Sequence, residues 1–242
     1  MKILMLQHAP HDGPQLLGDW LTEVGADLEV LRLDQGRPVP ESIDGVDAVI
    51  CLGGPMSAWD DRAAPWLPAT RALLAAAVQA GTPTLGICLG AQLLALATGG
   101  TVKPGAHGPE TGAYLTAKRD AAERDPLFGH LPMTPDVMQS HGDVITELPP
   151  GAVLLMAGTG YPHQAFRVGA AAWGIQFHIE ATARTVRSWV AQKKNIDDRL
   201  GPELDGRLGP ELDEAEQNMA VVWREFAHRF VQLRPRLPIT AA

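Results

Sequence analysis

The segment Gly86-Ile87-Cys88-Leu89-Gly90-Ala91-Gln92 holds a cysteine with a glycine two positions to either side. The apolar run 83–85 before it reads as the end of a buried strand, and 93–97 after it as a helix. A cysteine at a sharp turn from strand to helix has the outline of a nucleophile elbow. Glycines suit such a strained turn because side chains there would collide with neighbouring backbone. The helix N-terminus aims unpaired N–H groups and the positive end of its dipole at the sulfur. That favours thiolate, the form that attacks a carbonyl. The chemistry proposed is acyl transfer at Cys88. Read alone, the cysteine is equally a small buried hydrophobe, so the rest of the chain must supply a base and an oxyanion site.

A base is offered by Gly174-Ile175-Gln176-Phe177-His178-Ile179-Glu180. On extended backbone, residues i and i+2 point the same way. His178 and Glu180 can therefore lie side by side, the carboxylate accepting one imidazole N–H and turning the other ring nitrogen toward Cys88. It would also stabilise the imidazolium formed when the thiol loses its proton. Donors for a developing oxyanion are the backbone N–H of Leu89, directly after the nucleophile, and that of Gly54 in Gly53-Gly54-Pro55.

These residues need a scaffold, and the element order predicts one. Residues 2–7, 28–33, 46–52 and 84–87 read as strands. Residues 16–24, with Leu16, Leu17, Trp20, Leu21 and Val24 at helical spacing, and the Ala-rich 65–80 read as helices, closed by Gly25 and Gly81. Such alternation predicts an α/β fold, a single open, mostly parallel sheet with helices on both faces. Ligands of such sheets bind at the carboxyl ends of the strands. Gly53-Gly54-Pro55 and Cys88 both sit at such ends. The second half carries short runs at 113–117, 153–157, 164–168 and 171–177 that read as added antiparallel strands. Helices are expected over 182–193 and 213–233. The stripe Met219, Val222, Trp223, Phe226 and Phe230 on the latter reads as core packing.

The bulk numbers agree with one domain. The chain has 242 residues, 45% hydrophobic and 20% charged, with a net charge of −8. An acidic balance argues against nucleic acid or an anionic membrane as partner. The N-terminal apolar run is too short for a signal peptide, and no uncharged stretch is long enough to span a bilayer. Two cysteines make no disulfide framework, so a reducing cytoplasm is the expected setting. The domain is expected over 1–192, followed by a charged connector at 193–214 and a packed helix at 215–235. Within the connector, Arg199-Leu-Gly-Pro-Glu-Leu-Asp-Gly206 is repeated as Arg207-Leu-Gly-Pro-Glu-Leu-Asp-Glu214. A period this short builds no solenoid and reads as a local duplication.

Taken in order, Gly53-Gly54-Pro55, Gly86-x-Cys88-x-Gly90-x-Gln92, Ser140-His141-Gly142-Asp143 and Gly174-x-Gln176-Phe177-His178-x-Glu180 resemble the class I glutamine amidotransferase family. The similarity is greatest to its stand-alone members, akin to the glutaminase domain of GMP synthase, and covers roughly residues 1–190. It implies a flavodoxin-like fold and a γ-glutamyl thioester on Cys88, with His178 as base and then acid and Glu180 orienting it. Gly54 and Leu89 would form the oxyanion hole. Gly53, Gln92, Ser140 and His141 would bind the amino-acid end of glutamine. It implies no metal and no organic cofactor. The family most often places Pro between its His and Glu. Here Ile179 stands there, which is expected to loosen the turn slightly. No ATP-pyrophosphatase or synthase region accompanies the domain, so an ammonia acceptor is expected to be a separate synthetase subunit or not to exist.

Two versions of the enzyme follow: a glutaminase feeding a synthetase, and a γ-glutamyl peptidase with another leaving group, for which Trp59 would widen the pocket. A binding module on the same scaffold is a second class of reading, opposed by the presence of Cys88, His178 and Glu180. A metal-dependent hydrolase using His8-Ala9-Pro10-His11-Asp12 is a third, opposed by the lack of a second ligand cluster. The plainer reading of that segment is a polar loop at the pocket entrance. Cys51 reads as core, close enough to Cys88 to raise an oxidative cross-link.

Overall fold

The computed structural model describes residues 1–194 and 208–233. In chain order its elements begin with β1 (Lys2–Gln7), α1 (Gln15–Glu23), β2 (Asp27–Arg32), β3 (Ala48–Cys51), α2 (Leu67–Ala80), β4 (Thr84–Ile87) and α3 (Leu89–Ala97). Then come β5 (Thr101–Pro104), β6 (Glu110–Leu115), β7 (Ala117–Lys118), β8 (Asp136–His141) and β9 (Asp143–Glu147). The chain continues through β10 (Val153–Ala157), β11 (Ala165–Val168), β12 (Ala172–Ile175), α4 (Ala183–Lys194) and α5 (Pro210–Gln232).

The main sheet has the order β2-β1-β3-β4-β12-β11-β10-β7. Its first five strands pair in parallel, and the remaining pairs are antiparallel. β5 with β9 and β6 with β8 form two small antiparallel ribbons. The mixed α/β sheet flanked by helices is the expected architecture. The run at 171–177 departs from expectation on one side: β12 lies parallel beside β4, Ala172 opposite Thr84 and Ile175 opposite Ile87, while meeting β11 antiparallel. Local sequence carries no sign of this, because the pairing joins segments almost ninety residues apart. β5, β8 and β9 had no clear periodicity and were not expected.

Buried side chains form a layer on each face. One gathers α1 and α5 against the sheet around Leu17, Trp20, Phe128, Trp173, Phe177 and Trp223; the other packs α2 and α3 around Leu73, Leu74, Leu89, Leu93 and Leu94. The C-terminal stripe is core, with Met219, Trp223, Phe226 and Phe230 buried and Val222 packed at the margin. The Trp223 ring meets Phe177 at 5.2 Å and its Nε1 donates to Asp136 O at 2.9 Å. α5 starts at Pro210, three residues earlier than expected, with proline in its first turn where the missing N–H costs nothing. The second copy of the repeat thus enters this helix, and Arg187 of α4 clamps it by donating to Leu208 O, Gly209 O and the Asp213 carboxylate. The first copy lies outside the described residues. Among the described residues, no helix is long and apolar enough to cross a membrane.

Candidate active site

β4 delivers Cys88 to the carboxyl edge of the sheet. The Cys88 N–H still bonds Ile175 O of β12 at 2.8 Å, while its carbonyl already accepts the N–H of Gln92 at 3.0 Å, opening α3. Between those bonds the backbone must reverse, and Cys88 takes φ +51°, ψ −107°. Few non-glycine residues adopt such a conformation, which costs of order 1–3 kcal/mol and persists only where the surroundings impose it. The glycines on either side answer a different demand. A Cβ on Gly86 would lie 2.4 Å from Gly90 O, and one on Gly90 would lie 2.0 Å from Cys51 O. They permit close passage of α3 over β3 and β4, and the strain sits on the cysteine itself. As the first residue of α3, Leu89 has an N–H with no partner inside the helix.

β12 delivers the second half of the site. His178 is bound on its backbone to Met138 of β8, its N–H donating at 2.8 Å and its carbonyl accepting at 3.3 Å. Its Nδ1 lies 2.6 Å from Glu180 Oε1. The other carboxylate oxygen, Oε2, accepts the Ile179 N–H at 3.0 Å. A proline at 179 could not make that bond. The expectation of a looser turn is therefore reversed: Ile179 adds an anchor to Glu180 and is itself fully buried. Burial opposes a charged imidazole, but the Glu180 carboxylate and the Cys88 sulfur outweigh it and hold His178 well above the usual imidazole range. The Trp189 ring of α4 lies against His178 with centroids 4.6 Å apart.

One cavity of about 560 Å³ unites these groups. Cys88, Leu89, Gly54, Gln92, Ser140, His141 and His178 all line it. Glu180 stands behind His178, and Gly53 is wedged between His178 and Cys88, where a Cβ would be 3.0 Å from His178 Cε1 and 3.8 Å from Cys88 Cβ. Gln92 donates to Asp143 O at 2.9 Å and to Gln176 Oε1 at 3.3 Å, clamping the β8–β9 turn over α3. His141 Nε2 is 3.1 Å from Glu110 Oε2, across the register pair of β6 and β8.

Several neighbours escaped sequence reasoning. Gln176 points Nε2 at Cys88 Sγ, 3.8 Å away. It was visible within its motif, yet nothing local marked it as facing the sulfur. Trp189 and Gln192 also line the cavity, from a helix that no local pattern brings there, beside Asp12 of the polar loop expected at the pocket entrance. Burial, with a smaller push from Glu180, raises the Asp12 carboxyl, while His178 pulls it down.

Two readings are corrected. Trp59 is 58% exposed and donates its Nε1 to Val102 O at 3.1 Å, so it does not widen the cavity; the aromatic wall is Trp189. His8 is no metal ligand in waiting. Its Nδ1 accepts the Trp66 Nε1–H at 3.0 Å, which puts the ring proton on Nε2, facing Cys51 Sγ at 3.3 Å. Burial pushes His8 down to about 4 and pushes the Cys51 thiol up. Both cysteines are free, and Cys51 is engaged by His8 in the core. Among the described residues no group of three or more His, Cys, Asp or Glu side chains is arranged to hold a metal ion.

Comparison with known proteins places this architecture. The family model for class I glutamine amidotransferases matches residues 15–196. The GMP synthase [glutamine-hydrolyzing] of Porphyromonas gingivalis is 32% identical over 167 residues, 69% of this chain and 30% of that protein. The chain thus spans about a third of the length of such relatives. The glutamine amidotransferase-like protein YfeJ of Salmonella typhimurium is 28% identical over 78% of this chain and 80% of its own. Among solved structures, a glutamine amidotransferase from Thermotoga maritima superposes with a TM-score of 0.84 at 27% identity, covering 96% of this chain and 99% of that one. The strained cysteine elbow, the His-x-Glu pair facing it and these likenesses agree: the chain belongs to the class I glutamine amidotransferase family.

Proposed function

We propose that the protein hydrolyses γ-glutamyl amides, glutamine among them, through a thioester on Cys88. The observation that carries this reading is the meeting in one cavity of a cysteine at φ +51° with a histidine held by a carboxylate at 2.6 Å. In the first half-reaction Cys88 Sγ attacks the γ-carbonyl carbon and its proton passes to His178. The N–H groups of Leu89 and Gly54 receive the oxyanion. As the C–N bond breaks, His178 returns the proton to the leaving nitrogen. Water then attacks the thioester, with His178 as base, and glutamate departs. Glu180 keeps the His178 tautomer and ring orientation, anchored in turn by Ile179. Gly53, Gln92, Ser140 and His141 hold the amino-acid end.

The leaving group separates two versions. Relatives named GMP synthase are longer proteins, and by analogy ammonia would pass from this domain to a synthetase. The cavity, at about 560 Å³, lies within the range that takes drug-sized ligands and has room for a γ-glutamyl compound larger than glutamine. Glutamate release from glutamine and from γ-glutamyl dipeptides, with Cys88→Ala as control, tests the reading. Release by the wild type alone is expected. Equal traces from both proteins would overturn it.

A further inference from the structure

The loop after β1 brings another acid into the cavity. Asp12 is only 9% exposed and lines the cavity, and the Trp189 indole acts on its carboxylate as a hydrogen-bond donor. That Nε1 is itself buried, with no partner at ordinary hydrogen-bond length. Buried polar groups are normally paired. Here the carboxylate stands at the cavity wall without a full partner.

The loop is built to hold them. Gln7 Nε2 donates to Ala9 O at 2.7 Å and the Asp12 N–H to Ala9 O at 3.3 Å. Gln15, in the left-handed region at φ +40°, reaches back to His11 O and accepts from Thr185 Oγ1 on α4. The Leu16 N–H donates to Glu180 O at 3.1 Å. One strained junction thus ties the Asp12 loop, the Trp189 helix and the Glu180 segment together.

The placement gives the cavity two unlike ends. Gln92, Ser140 and His141 gather at the β8–β9 turn. Asp12 and Trp189 gather on the His178 side: the indole lies against the imidazole, and the charged neighbours acting on Asp12 are His178, Glu180 and His11. Where His178 hands its proton to the leaving nitrogen, the departing group must pass this side. A carboxylate beside an indole suits an ammonium, through a charge-assisted hydrogen bond and a cation–π contact.

We propose that Asp12 and Trp189 form a leaving-group subsite for a second ammonium, so that the favoured substrates are γ-glutamyl amides of diamines. This rests on the thioester reading above. The acyl transfer is unchanged: the C–S bond forms, the C–N bond breaks, and the proton moves from Cys88 through His178 to the leaving nitrogen. The distal ammonium stays charged throughout.

The test compares kcat/KM for the γ-glutamyl amides of 1,4-diaminobutane and of pentylamine, which match in length and differ in the second ammonium. The wild type is expected to favour the first by about 10-fold or more, the worth of one charged hydrogen bond. Asp12→Asn is expected to bring the ratio near one. A wild-type ratio near one would overturn the proposal. So would an Asp12→Asn variant that raises KM equally for both amides and glutamine, since Asp12 would then hold the α-ammonium. Calorimetric binding of both amides to Cys88→Ala reads the subsite without turnover. Preferential binding of the diamine amide, with no glutamate released by the wild type, would sink the thioester reading and leave the subsite. Release from both amides without preference would do the reverse.

Discussion

Gly53→Ala is the smallest change that tests how tightly the site is set. The added methyl would lie 3.0 Å from His178 Cε1, 3.7 Å from Nδ1 and 3.8 Å from Cys88 Cβ. Gly53 is not in the left-handed region, so the backbone accepts alanine and the effect falls on the imidazole. Ordinary contact begins at 3.4 Å, so His178 must give by about 0.4 Å. It has little freedom to do so. Its backbone is bonded both ways to Met138, its Nδ1 to Glu180, and Trp189 covers the ring. A misplacement of about 1 Å at a reacting group costs roughly 100-fold in rate; scaled logarithmically, 0.4 Å costs about 6-fold. Overpacking should add about 1–3 kcal/mol of destabilisation. Steady-state glutamate release and urea unfolding check both numbers. A control, Gly36→Ala, adds a methyl that meets nothing within 4 Å, at φ +78° and outside the cavity lining; it should lower stability and leave kcat alone. A Gly53→Ala enzyme with wild-type kcat would refute the claim that His178 is held against Gly53.

Other outcomes follow from the same geometry. In Glu180→Gln the larger of the two charges that overcome burial is gone, so the His178 pKa should fall from its raised value and kcat should fall about 10²- to 10⁴-fold; histidine NMR and the pH–rate profile check this. The sign for stability follows as well: a raised His178 pKa stabilises the wild type fully below the unfolded value of 6.5 and is lost as pH rises through the folded value, a loss that Glu180→Gln should reduce. His8 runs the other way. With its pKa lowered from 6.5 to about 4 by burial, the unfolded state binds the extra proton, so acidification across that window should cost the wild type about 3 kcal/mol more than His8→Gln; parallel urea-midpoint curves from pH 8 to 4 would contradict this. Trp223→Ala should cost about 3–5 kcal/mol in urea unfolding, because the ring is fully buried, packs on Phe177 and has its N–H bonded to Asp136 O; a loss under 1 kcal/mol would mean that α5 is not core.

Much of the frame was legible because it is written in near neighbours. The glycines around Cys88 announced a close backbone passage, and the structure puts that passage at Gly90 against Cys51 O and Gly86 against Gly90 O. The i, i+2 spacing of His178 and Glu180 on extended backbone placed the carboxylate beside the ring. The helical stripe of α5 named its own buried face. Each is a contact within a few residues or a repeat at the period of one element, which local sterics and periodicity decide. The rest depended on which distant segments meet. That β12 slots in parallel beside β4, that Trp59 turns to Val102, that Ile179 anchors Glu180, and that Asp12 and Trp189 converge on His178 are settled by packing across the sheet edge. The sequence by itself determined the strand-to-helix setting of Cys88, the pairing of His178 with Glu180 and the alternating frame. Only the tertiary structure decided what surrounds them, because long-range pairing is selected by the burial of whole faces and leaves no period in the chain.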